Sequence, residues 1–277
     1  MTLILTCLTQ EHILQVADRR LTRPDGTLYD DDTNKAVFYC GRVAVAYTGL
    51  AFMEGKPTAE WIGLCMKDEK TIQSAMNRVA KCAERYLESC NIPDKRLAIV
   101  ATGWATFRGA QPIRPYICMA SNFFQADSFG WKSTADKQMV VKTGFLDEKK
   151  QSQMFSIGQN LYRKERIQIS RLVNRAVEHG AKKALVRILG GVIQAVARRN
   201  DERAKRVGKG MIIQLLSKKA LLEQNRSIVT PLLMDRHSFL YVSPEGKTDS
   251  FQGPVIACEG TLITGIKFGK TPPDHKI

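Results

Sequence analysis

The sequence predicts an α+β fold of four layers, αββα, in which two β-sheets pack face to face and each outer face carries helices. Three observations predict it. Strand-like and helical stretches come in blocks, as strands, two helices, strands, two helices and strands, rather than as alternating βαβ units. No Gly-rich phosphate loop follows any strand, which counts against a nucleotide-binding doubly wound sheet. No internal repeat, low-complexity tract or Pro/Ser-rich linker divides the 277 residues, and a 44% hydrophobic content suffices for one large core.

Residues 2–8 and 13–18 are β-prone runs separated by Thr9-Gln-Glu-His12, a hairpin at the N-terminus. Runs 36–40 and 43–48, joined at Gly41-Arg42, form a second hairpin, and Arg23-Pro-Asp-Gly26 between the two is turn chemistry. The period then changes. Ile72, Ala75, Met76, Val79, Ala83, Tyr86 and Leu87 fall on one helical face, and Trp61, Leu64 and Cys65 predict a shorter helix before it. Strands are expected over 96–104 and 114–120, with another near 125–131. Helices follow over 161–177, stopped at His179-Gly180, and over 181–199, where Leu185, Ile188, Val192 and Val196 recur. Residues 210–216 return to strand, and 238–242 and 255–257 are expected as edge strands or a cap.

Composition narrows the function classes. The 42 basic residues against 27 acidic give +15, a charge that attracts nucleic acid, anionic lipid or acidic protein segments. Much of the excess lies in 163–209 without interleaved aromatics for base stacking, so solvated helix faces are favoured over a nucleic-acid groove. Seven scattered cysteines form no Cys-x-x-Cys pair and read as reduced core side chains, while four dispersed histidines offer little to a metal. The N-terminus has neither a basic region nor a small-residue cleavage site, and no apolar run approaches the roughly 20 residues that span a bilayer. The expectation is a cytoplasmic protein with no membrane segment, metal or cofactor.

The residues that could carry chemistry cluster early. Thr2 follows Met1, and removal of Met1 would place a hydroxyl nucleophile and an α-amino base on one residue, with no histidine needed. Asp18 ends the second strand in Val16-Ala-Asp-Arg-Arg20, Lys35 precedes the third, and Thr48-Gly49 closes the fourth. Each alone reads as structure: a strand-end aspartate, an edge-guarding lysine, a turn glycine. Together they suit catalysis, because a lysine ammonium beside the Thr2 amine keeps that amine neutral and basic while Asp18 holds the lysine. Gly49 N–H could then serve an oxyanion.

At these residues the chain resembles the proteasome-type N-terminal-nucleophile hydrolases, proteasome β subunits and their smaller bacterial relatives. That family has a threonine at the mature N-terminus, an Ala-Asp-x-Arg motif, a lysine opening the third strand and a small-residue-Gly turn. Here Asp18 keeps the family's separation from Thr2, Arg20 matches the motif arginine, and Lys35 and Gly49 lie one residue further on. The resemblance covers residues 2–217 and implies a domain over 1–217 with a C-terminal extension over 218–277. It implies that Thr2, Asp18, Lys35 and Gly49 cleave an amide through an acyl ester on Thr2. Arg20 and Asp201 would support them, and Leu21, Tyr47 and Ala51 would line the substrate pocket. A helical segment at Ile157-Gly158-Gln159 resembles the family's Gly-Ser turn, with glutamine in place of serine. No cofactor, a peptide or protein substrate and a homo-oligomeric ring or stacked assembly are further implications, with any ATPase partner open. Alternatives are an inactive ring or scaffold protein of the same fold, an amidase for a small amide, and a basic nucleic-acid-associated protein.

Overall fold

Leu3–Thr9 (β1) and His12–Asp18 (β2) are apolar on both faces, and all but His12 are buried, so this hairpin lies inside the molecule rather than at an edge. The computed structural model of the chain describes residues 2–23, 27–39, 42–107, 110–125, 130–159, 161–199, 201, 204–219, 238–243, 248–250, 255–256 and 262–263. The elements that follow the first hairpin are Leu21–Thr22 (β3), Leu28–Asp30 (β4), Ala36–Tyr39 (β5), Val43–Thr48 (β6), Phe52–Met53 (β7) and Lys56–Pro57 (β8). Thr58–Met66 (α1) and Ile72–Ser89 (α2) come next, then Ala98–Phe107 (β9), Ala110–Ser121 (β10), Phe124–Gln125 (β11), Gly130–Trp131 (β12), Val140–Phe145 (β13) and Ser152–Gly158 (β14). Arg163–Glu178 (α3) and Lys182–Ala197 (α4) precede Met211–Ser217 (β15), Ser238–Val242 (β16), Thr248–Ser250 (β17), Val255–Ile256 (β18) and Leu262–Ile263 (β19).

These strands build two large sheets. One has the order β14-β1-β2-β15-β16-β17 and the other β13-β10-β9-β6-β5-β18-β19, antiparallel throughout except where β18 runs parallel to β5. The tail thus adds strands to both sheets, as edge additions.

Alternation of side chains across each strand sorts the core into three apolar clusters. Ile4, Leu8, Ile13 and Ala17 of the first sheet meet Ala36, Ala44, Ala46 and Ala98 of the second. Leu5, Val16 and Ile213, on the opposite face of the first sheet, pack on Val173 of α3 and Leu189 of α4. Val37 and Val45, on the opposite face of the second, pack on Trp61 of α1 and Met76 of α2. One polar row crosses the first sheet: Thr6, Gln15 and Gln214 are register partners on neighbouring strands, and all three are buried. Burial also pushes the Cys7 thiol up to about 12, which keeps it protonated and inert. Among the described residues, no helix is long and apolar enough to cross a membrane.

Three expectations need correction. Strands β13 and β14 were not foreseen in the sequence, and Ile157-Gly158, expected in a helical segment, ends β14 instead. The physical reason is position: among the described residues β14 pairs only with β1, so Ser152 to Ser156 are half-buried and their alternation is weak. The third helix accordingly starts at Arg163 rather than at residue 161. The turns expected at 23–26 and 41–42 fall partly outside the described residues.

Candidate active site

The register of the first hairpin decides where the chain begins. Ile4 lies opposite Ala17, which brings the start of β1 beside Asp18 at the end of β2, and Leu3 N–H donates to Asp18 Oδ2 at 2.7 Å. Asp18 Oδ1 also accepts from Arg20 N–H at 3.0 Å and from Gly208 N–H at 3.2 Å. Three backbone donors therefore hold a carboxylate that has no exposed surface.

Lys35 stands just before β5, where its carbonyl accepts from Tyr47 N–H at 3.3 Å. Its side chain is fully buried, so it does not guard a sheet edge. Nζ donates to Thr2 Oγ1 at 2.5 Å, to Asp18 Oδ1 at 3.4 Å and to the Arg20 carbonyl. Three acceptors match the three protons of an ammonium. Burial pushes the Lys35 pKa down from its ordinary value, and the neighbouring Asp18 carboxylate opposes that shift.

Thr2 is fixed at each of its polar atoms. Its nitrogen donates to Thr48 Oγ1 at 3.0 Å, and its carbonyl accepts from Thr48 Oγ1 at 3.2 Å and from Gln159 N–H at 3.1 Å. The expectation put Lys35 beside the Thr2 amine; in the structure Lys35 meets the hydroxyl and Thr48 meets the nitrogen. Two glycines make this crowding feasible. Gly158 has φ +87°, and a Cβ there would lie 2.1 Å from the Thr2 carbonyl oxygen. Gly49 has φ +118°, and a Cβ there would lie 2.0 Å from the Arg96 carbonyl oxygen. Neither position admits a side chain.

The remaining expected residues sit as follows. Arg20 contributes its backbone to the site, while its guanidinium forks onto Asp31 at 2.7 and 2.9 Å and reaches the Lys205 carbonyl at 3.0 Å. Asp201 accepts from Tyr162 Oη at 3.4 Å, near the start of α3. Tyr47 belongs to the cluster under α1 and α2, on the face of β6 opposite Thr48. Leu21 is buried in β3, and Ala51 is half-buried in the bend after Gly49.

Of the other contributors, the Gly158-Gln159 turn was matched by resemblance but placed in a helical segment, while the Thr48 hydroxyl and the Gly208 amide were given no role. The adjacency of a hydroxyl residue to Gly49 was the available signal for Thr48. The Gly208 amide reaches Asp18 through a chain crossing that no local pattern reports. Among the described residues, no group of three or more His, Cys, Asp or Glu side chains could hold a metal ion.

No protein-family model matches the sequence, and no curated protein is similar to it. Among solved structures, the chain is similar to "Anbu (Gly-1) mutant from Hyphomicrobium sp. strain MC1", with a TM-score of 0.47 and 10% identity over 78% of this chain and 83% of that one. The likeness is distant, and the site stands on its own contacts.

Proposed function

We propose that the protein is an N-terminal threonine hydrolase that cleaves amide bonds of peptides, built on a four-layer αββα sandwich of the Ntn-hydrolase type. The observation that carries the proposal is the buried chain Asp18–Lys35–Thr2, with Lys35 Nζ 2.5 Å from the Thr2 hydroxyl oxygen. A buried cation donating to a hydroxyl favours its alkoxide form, which is what a nucleophile needs.

After loss of Met1, the Thr2 Oγ attacks the scissile carbonyl carbon and its proton passes to the Thr2 α-amine. The carbonyl π electrons move onto oxygen, where Gly49 N–H would stabilise the charge. Collapse of that tetrahedral species expels the leaving amine, which takes the proton from the Thr2 ammonium, and leaves an ester on Oγ. Water, deprotonated by the same amine, then releases the acid and restores the hydroxyl.

The test has two readings on one protein. Intact mass should show Met1 absent and a stoichiometric adduct with a threonine-directed electrophile such as an epoxyketone or boronate. Thr2→Ala should abolish both the adduct and hydrolysis of a peptide library. Retained Met1, or equal hydrolysis by wild type and Thr2→Ala, would end the proposal. Gln159, which brings no hydroxyl to the turn after β14, favours the inert-scaffold reading, and in that case wild type takes no adduct.

A further inference from the structure

We infer that the Thr48 hydroxyl is the positioning residue of the Thr2 α-amine, orienting its lone pair toward Oγ and setting the pH at which it can act as a base. The inference rests on the threonine-hydrolase reading and deepens it. Thr48 Oγ1 lies 3.0 Å from the Thr2 nitrogen and 3.2 Å from the Thr2 carbonyl oxygen, so one hydroxyl bridges both ends of the same residue. A hydroxyl has one proton and two lone pairs. Its proton goes to the carbonyl, which leaves it an acceptor for an N–H of Thr2. Once Met1 is gone, an amine with one N–H anchored on Thr48 has fewer orientations open to its lone pair.

The surroundings enforce this arrangement. Thr48 has no exposed surface, and its Oγ1 is turned to Thr2. It closes β6 opposite Ala98, and the absent side chain of Gly158 leaves its room, since a Cβ there would lie 3.0 Å from Thr48 Oγ1 and 3.1 Å from its Cγ2. The charged groups facing Thr2 are Lys35 from the start of β5 and Asp18 from β2, and the Arg20 guanidinium is held away on Asp31. The contacts from β6 and from the end of β14 are uncharged. Lys35 disfavours a protonated amine by like charge, whereas the Thr48 acceptor favours it. The two together tune the amine.

The experiment compares wild type with Thr48→Val, which keeps the shape and loses the hydroxyl, and Thr48→Ser, which keeps the hydroxyl. Selectively 15N-threonine-labelled protein reports the Thr2 amine titration, and electrophile labelling of Thr2 is followed against pH. In Thr48→Val the ammonium loses an acceptor, so the amine pKa falls and the acid limb of labelling moves to lower pH. Its plateau rate drops about tenfold or more, because a misoriented base loses rate steeply. Thr48→Ser restores both. If Thr48→Val folds incompletely, Thr48→Cys, with its weak sulfur acceptor, carries the same expectation of a lowered amine pKa.

A wild-type profile and rate in Thr48→Val, or in Thr48→Cys where it replaces it, overturns the inference while leaving the threonine-hydrolase reading intact. Retained Met1, or a wild type that takes no adduct on Thr2, overturns both.

Discussion

A lysine with no exposed surface is costly to keep charged, and Lys35 is kept by three acceptors, one beside the start of β1 and two at or just past the end of β2. Burial lowers its pKa in the folded protein relative to the ordinary 10.5. Between the lowered value and 10.5 the unfolded chain binds more protons at this site than the folded one, so the Lys35 contribution to stability rises with pH across that window. It is lost again as pH falls through the folded value. Wild type should therefore gain stability relative to Lys35→Met on going toward pH 10.5, by up to about 1.4 kcal/mol per pH unit within the window. Urea unfolding of both proteins at several pH values measures it, and parallel curves would contradict it. The Asp18–Lys35 pairing was legible in the sequence because an acid at the end of one apolar run can hold a lysine at the start of another. Thr48 was not, because a threonine at the end of a strand is ordinary for its strand preference alone.

At the scale of elements, what the sequence revealed depended on how much of each element's own pattern its surroundings require. Helix α2 was plain: Ala75, Met76, Val79, Ala83 and Leu87 form one buried stripe. The stripe began at Ile72, the helix's first residue, but its cap was not named although it is locally encoded, since Thr71 Oγ1 accepts from Ser74 N–H at 3.1 Å and the Ser74 hydroxyl oxygen accepts from Thr71 N–H at 3.3 Å. Thr71→Ala removes the cap and should lower stability by about 1 kcal/mol, read as a shift of the denaturation midpoint with an unchanged slope. Strands β13 and β14 were illegible for the opposite reason. Each lies at the edge of its sheet with a single partner, so pairing with β10 or β1 defines it more than its own alternation does. The Gly158-Gln159 turn was matched by resemblance, but not the strand end that carries it to Thr2.

Across the whole molecule, the spacing of the two sheets is set by small side chains. Ala17, Ala36, Ala44, Ala46 and Ala98 are buried where the sheets face each other, opposite larger residues such as Ile4 and Ile13. Lys35 can bridge from one sheet to Asp18 and Thr2 on the other because the layers approach closely there. Ala98→Leu overfills this layer and should cost about 1–3 kcal/mol by chemical denaturation. Ala98 is the register partner of Thr48, so Thr2 labelling should slow as well. A variant of wild-type stability and labelling would show that this layer has slack. The block order of strands and helices, and with it a mixed α and β chain with antiparallel sheets, was legible because burial of both sheets demands continuous apolar runs. The Thr6–Gln15–Gln214 row, polar and yet buried, breaks that rule and gave no local sign of it.

The position of β1 also imposes a timetable. It lies between β14 and β2, and Asp18 takes one of its hydrogen bonds from Gly208, so the residues around Thr2 are completed by segments that follow them in the chain. On a growing chain Thr2, Asp18 and Lys35 leave the ribosome early but lack the strand that flanks Thr2 and the amide that helps anchor Asp18. Thr2 gains its flanking strand only with Ser152–Gly158, and Asp18 its third backbone donor only with Gly208.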